Sequence, residues 1–150
     1  MRNKFDEQLE VLNQDLVSMG TLIERALESA CQALATGSAE LAHDAIEIDR
    51  EIDEMEHQIE NLCLKLLLMQ QPVARDLRQI SSALKMITDM ERIGDQAADI
   101  AEIVLMLDGK IPEDQWVIVD MSRTAISMVK DSIDAYVRKD EALAEEVVER

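Results

Sequence analysis

The sequence predicts an all-α protein built from long amphipathic helices. Apolar residues recur at steps of three and four along most of the chain. Four Gly and two Pro in 150 residues leave little material for turns. No run pairs β-branched residues with period-two alternation between turn clusters, so strands are not expected. The length suffices for one packed core.

The periodicity places helix one over about Lys4 to Thr36. Phe5, Leu9, Leu12, Leu16, Met19, Ile23, Ala26, Ala30 and Ala33 step by four and three, a heptad-like seam. "ATGSAE" then supplies a left-handed stop at Gly37 and an N-cap at Ser38. Helix two follows from about Ala39 to Gln70, with Leu41, Ala45, Ile48, Ile52, Met55, Ile59, Leu62, Leu66 and Met69 inward. Pro72 suits the first turn of helix three, where its missing N–H is not needed.

Helix three is expected over about Pro72 to Leu107. Met86, Met90, Ile93, Ala97, Ile100 and Val104 line one side, and Ile80, Leu84, Ile87, Gly94, Ala98, Ala101 and Leu105 widen the apolar arc. Gly94 gives up about 1 kcal/mol against Ala in a helix interior, which points to close approach of a neighbouring helix or ligand. "LDGKIPEDQW" marks a boundary at Gly109 and Pro112. Helix four runs from about Glu113 to Arg138, with Ile118, Met121, Ala125, Met128 and Ala135 expected inward. "RKDEALAEEVVER" begins a fifth helix.

Displacing the sequence by 102 residues lays "LAHDAIE" (Leu41 to Glu47) over "LAEEVVE" (Leu143 to Glu149), Ala33 over Ala135 and Met19 over Met121. The apolar positions keep phase. This reads as an internal repeat. The expected organisation is a three-helix unit over residues 1–109 and the start of a second over 110–150. The chain then reads as a fragment of a two-repeat protein.

Formal net charge is −17. That argues against nucleic acid or an anionic membrane surface as the main partner, and favours basic proteins or multivalent cations. Cys31 and Cys63 sit in apolar helical stretches and read as reduced core residues of a cytoplasmic protein. The N-terminus lacks an apolar signal-peptide core. The most apolar run, "LCLKLLLMQQP", is too short for a membrane span.

Two helices carry acidic stripes. Asp49, Asp53, Glu56 and Glu60 follow i, i+4, i+7 and i+11 on helix two. Glu91, Asp95, Asp99 and Glu102 follow i, i+4, i+8 and i+11 on helix three, within an arc of roughly 80°. Like charges at i,i+4 oppose the helix by a few tenths of a kcal/mol per pair. One account is a pair of solvated faces. The other brings Asp49–Asp53 and Glu91–Asp95 together on adjacent antiparallel helices, where four carboxylates need cations. All-oxygen ligation suits Mg²⁺, Mn²⁺ or iron, with zinc a further candidate.

A ferritin-like di-iron site needs Glu-x-x-His on two helices. The chain has Glu40–His43 and Glu54–His57, but both lie on helix two, with the histidines about 21 Å apart along its axis. A metal store or di-iron protein and a purely structural helical module stand as alternatives. Gly-rich phosphate loops, nucleophile elbows and clustered Cys are missing from the sequence, so no enzyme is expected.

"QQPVARDLRQI" followed by "DMERIGDQAADIAE", with "MGTLIERAL" in helix one and "EIDREID" in helix two, resembles the PhoU family across the whole chain. The resemblance implies repeated three-helix bundles, commonly dimeric, some members of which bind multinuclear metal clusters through an E/D-x-x-x-D motif in each repeat. Carried over by motif, the metal candidates are Asp49, Asp53, Glu91 and Asp95. It implies a cytoplasmic, non-enzymatic protein that damps phosphate uptake and represses the phosphate-starvation response, contacting a phosphate ABC transporter's ATPase and a sensor histidine kinase. Asp76, Arg78 and Arg138 are assigned to partner contact or its support; for Asp76 a local capping role is the alternative. The family's second acidic helix pair has no counterpart in this chain.

Overall fold

The computed structural model describes residues 2–69 and 73–150. Its elements are α1 (Arg2–Thr36), α2 (Ala39–Met69), α3 (Ala74–Leu107), α4 (Gln115–Arg138) and α5 (Glu141–Glu149). The described residues contain no strand. The helix-three start expected at Pro72, and the helix-two end expected at Gln70, lie outside the described residues. Helix four begins two residues later than its sequence signal, at Gln115, with Asp114 as its N-cap.

Helices α1, α2 and α3 pack mutually, α4 lies against α1, and α5 lies against α4. The α1 seam is buried at all nine predicted positions, Phe5 through Ala33. Leu12, Leu16, Met19 and Ile23 meet Ile52, Ile59 and Leu66 of α2 and Ile80 and Ile87 of α3 in one core. Each such fully buried aliphatic side chain contributes about 1.5–3 kcal/mol relative to exposure. Cys31 and Cys63 are buried and free, as the sequence suggested.

The turns follow their local chemistry. Gly37 is left-handed (φ 71°), and its N–H donates to the Ala33 carbonyl at 2.7 Å. Ser38 Oγ accepts from the Leu41 N–H at 3.3 Å, capping α2. Between α4 and α5, Asp140 accepts from the Leu143 N–H at 3.0 Å and caps α5.

Helix α4 corrects the sequence reading. Ile118 is 44% and Met121 65% exposed, and Ala125 is exposed as well. Of the five residues expected inward, Ala135 is buried and Met128 half-buried. The periodicity does mark an apolar stripe, but the helix turns a neighbouring one inward. Ile126, Val129, Ile133 and Tyr136 pack on the core instead. Among the described residues, α1 is the one bundle helix whose backbone α4 approaches closely. Gly20 makes that approach possible: a Cβ there would collide with Ile133 Cδ1. The Tyr136 hydroxyl donates to the Gln79 carbonyl at 2.7 Å and ties α4 to α3. The unused stripe borders an open apolar groove, where Ala125 and Met128 face Met86, Met90 and Ile93 of α3.

This packing predicts opposite outcomes for two truncations on α4. Ile133→Ala should lower unfolding free energy by about 2–5 kcal/mol. Met121→Ala should change it by no more than about 0.5 kcal/mol. Urea titrations followed by circular dichroism measure both; the reverse order would restore the sequence-predicted face.

Candidate metal centre

The acidic stripes converge because the apolar seam beneath them fixes how α2 meets α3. Ile52, Ile59, Ile87 and Met90 are buried along this contact. At the closest approach stands Gly94. A Cβ built on it would lie 3.0 Å from Ile52 Cδ1 and 3.1 Å from Asp49 Oδ1. Any larger residue would push on the helix and the carboxylate together. The sequence signal at Gly94 is thus explained by a helix crossing next to the acidic groove.

Two carboxylate triads result. Asp49, Asp53 and Asp95 form one; Asp53, Glu56 and Glu91 form the other. Within each triad, one oxygen from every residue lies within 4.8 Å of the others. That span is close to twice a metal–oxygen bond of about 2.1–2.5 Å, so one ion could bridge each set. Asp53 is shared. All five residues are half-buried. The four sequence-predicted ligands are therefore brought together. Glu56 is an added member, and its signal was present in the sequence as the i+3 neighbour of Asp53. Asp99 and Glu102 continue the stripe but are exposed and belong to neither triad.

Charge crowding is severe. Burial pushes Asp49 up to about 6, with the charges of Asp53 and Asp95, a side-chain hydrogen bond to Asp95 and the charge of Asp99 adding to it. Glu91 is pushed up to about 7, first by its hydrogen bond to Asp95, then by burial and the charges of Asp95, Glu56 and Asp53. Glu56 is raised mainly by burial, partly offset by His57. Asp95 sits between Asp49 and Glu91 and is hydrogen-bonded to both.

Neutralising partners are missing from the groove. Among the described residues no Lys or Arg pairs with any of the five. Arg92 reaches Asp89 at 3.9 Å, and Arg50 reaches Glu47 at 3.4 Å. Oδ1 of Asp49 and Oδ1 of Asp53 are buried without a hydrogen-bond donor. A buried, undonated carboxylate oxygen is unfavourable unless a proton or cation meets it. The donor set is all oxygen, anionic and closely spaced, so it fits a hard cation.

The remaining candidates fall elsewhere. His43 and His57 are exposed and lie outside both triads, with His57 Nδ1 4.0 Å from Glu60. Asp76 is 3% exposed, in the first turn of α3. An acidic group there complements the helix dipole. Arg78 is exposed one half-turn on. Arg138 is exposed at the end of α4, 3.9 Å from Asp140. Asp76 borders a polar cleft with Asn13, Arg75 and Lys139, whereas Arg78 and Arg138 present their charges to solvent.

Comparison with known proteins gives a consistent family. The PhoU domain matches residues 16–104 and 118–150. A "Phosphate-specific transport system accessory protein PhoU homolog" of Clostridium acetobutylicum is 39% identical, with the match covering 99% of this chain and 69% of the relative. A protein of the same description from Aquifex aeolicus is 34% identical, covering 98% and 67%. The crystal structure of PhoU from Pseudomonas aeruginosa superposes with a TM-score of 0.91 at 34% identity, covering 97% of this chain and 70% of that one. The phosphate transport system regulatory protein PhoU from Streptococcus pneumoniae gives 0.86 at 30% identity.

Folding raises the Asp49 and Glu91 pKa values, so between about pH 4 and 7 the folded chain holds more protons than the unfolded one. The stability these groups confer is greatest below their unfolded pKa and falls as pH rises through 6 and 7. In chelator, the melting temperature of the parent should therefore drop from pH 5 to pH 8 more than that of Glu91→Gln/Asp95→Asn, measured by scanning calorimetry. Equal slopes would mean that the groove carries no electrostatic strain. Divalent cation at pH 8 should raise the parent's melting temperature and leave the double variant unchanged.

Proposed function

The chain belongs to the PhoU family, and from that premise we propose that it is a non-enzymatic regulator of phosphate uptake and of the phosphate-starvation response. The observation that carries this reading is the near-complete coverage of the chain by relatives described as accessory proteins of phosphate-specific transport. In this reading the protein is a cytoplasmic adaptor, commonly dimeric. It contacts the ATPase of a phosphate ABC transporter and a sensor histidine kinase. Among the described residues no helix is long and apolar enough to cross a membrane.

The α2–α3 groove would hold iron, manganese, magnesium or zinc through Asp49, Asp53, Glu56, Glu91 and Asp95. A bound cation supplies positive charge where the protein has none. The chain's own residues do the rest. Asp53 joins the two triads into one unit. Gly94 keeps the helices close enough for ligands from both to reach the same ion. The Ile52 seam excludes water from below. Proton release should accompany cation binding, because Asp49 and Glu91 are raised into the neutral range. Loading would thus lock the α2–α3 face in one register and remove its repulsion.

Arg78 and Arg138 are suited to contact partners, since both are exposed. Asp76 is suited to supporting the turn from within. A di-iron oxidase or ferritin-type store is less well supported, because His43 and His57 stand outside the acidic triads. Solvated stripes on a purely structural module are less well supported, because Asp49 and Asp53 bury carboxylate oxygens.

The functional reading is tested by capture. The tagged chain should retain both the transporter ATPase and the sensor kinase from a phosphate-replete extract, and Arg78→Glu/Arg138→Glu should weaken capture by about tenfold or more. In cells lacking their own family member, the chain should silence a phosphate-starvation reporter in rich phosphate. Capture of neither partner, with the reporter left on, would overturn the reading.

A further inference from the structure

The two carboxylate triads of the α2–α3 groove are unequally built. Asp49, Asp53 and Asp95 are all aspartates. They stand at the helix crossing, where Asp49 Oδ1 lies 3.1 Å from the place a Cβ on Gly94 would take. That oxygen is buried and meets no donor, and the same holds for Oδ1 of Asp53, which both triads share. The second triad, Asp53, Glu56 and Glu91, extends about one turn away from the crossing. Among the described residues, Glu56 and Glu91 add no buried oxygen that lacks a donor. Their side chains are also one bond longer, so fixing them gives up more rotamer freedom.

Charge calls for more than one cation. Five carboxylates crowd the groove, and the nearest arginines are engaged outside it with Asp89 and Glu47. A single divalent ion leaves most of that charge uncompensated. Yet Asp53 belongs to both triads. The first ion to arrive therefore draws on a carboxylate that the other needs, and the two cations repel across it. Uptake then proceeds in steps.

We propose that the groove loads two divalent cations in order, first on Asp49, Asp53 and Asp95, then more weakly on Asp53, Glu56 and Glu91. This rests on the reading of the groove as a cation site and adds a division of labour within it. The first ion meets both undonated oxygens through short side chains held at the crossing. The second must order two glutamates and meets an Asp53 already engaged. Asp49 and Asp95 serve the first site alone, and Glu56 and Glu91 the second alone. At a cation supply between the two affinities, the first site stays filled and the second exchanges. The glutamate triad is thus the half of the groove that responds to supply.

Titration with Mn²⁺ tests the order. The 150-residue chain is stripped with chelator, exchanged into chelator-free buffer at neutral pH and followed by equilibrium dialysis. Electron paramagnetic resonance counts the free ion. The parent should take up two Mn²⁺ in steps whose affinities differ by about tenfold or more. Glu56→Gln should keep the first step at the parent's affinity and lose the second. Asp49→Asn should hold one ion, about tenfold or more weaker than the parent's first step. The exposed control Glu102→Gln should keep both steps. Each substitution removes a charge from a repelling set, and unaltered helix content by circular dichroism keeps the variants comparable. One ion in the parent, two of equal affinity, or loss of the tight step in Glu56→Gln with its retention in Asp49→Asn would overturn the proposal and leave the groove a cation site. No uptake by the parent would overturn the cation reading as well.

Discussion

The apolar contact between α2 and α3 decides where every acidic side chain of the groove must stand. Ile52, Ile59, Ile87 and Met90 are buried there, and Gly94 lets the two backbones close. Once that contact forms, the outward neighbours of the seam have no freedom to separate. Asp49, Asp53 and Glu56 must face Glu91 and Asp95. Hydrophobic burial thus holds together charges that repel one another. Burial first raises Asp49 and the hydrogen bond to Asp95 first raises Glu91, and the crowded charges add to both.

Opposition of this kind needs a neutralising species. Protons supply it at low pH and cations can supply it at neutral pH, so the two compete for the same oxygens. The nearest arginines are occupied on the outer surface with Asp89 and Glu47 and do not enter the groove. With basic residues kept out, the proposed site has room for an exchangeable cation rather than a permanent ion pair. Under the proposed regulatory role, the α2–α3 face would change rigidity with its occupancy.

Much of this was legible in the sequence, for local reasons. The α1 seam could be read because every position faces two neighbours of the same bundle, so period and burial coincide. Gly94 could be read because glycine in a long helix is unfavourable unless space is short. The four acidic positions could be read because i,i+4 spacing puts them on one face. Glu56 was missed as a member of the acidic cluster because a motif of two acids does not reveal how far an antiparallel partner extends. The face of α4 was misjudged because its stripe of Ile118, Met121 and Ala125 is as apolar as the one it buries. Tertiary packing chose between them, through Gly20 and Ile133. Burial of Asp76 was equally invisible, since a first-turn acid caps just as well when exposed.

The central claim is that the α2–α3 groove binds a cation, and elemental analysis tests it most directly. The purified chain and its Glu91→Gln/Asp95→Asn variant would be dialysed side by side against equal trace metals and measured by plasma mass spectrometry. The account predicts a tightly held transition or alkaline-earth metal in the parent that is lost in the variant. Equal and negligible metal in both would contradict it, and would leave the acidic groove as a proton-holding face without an ion.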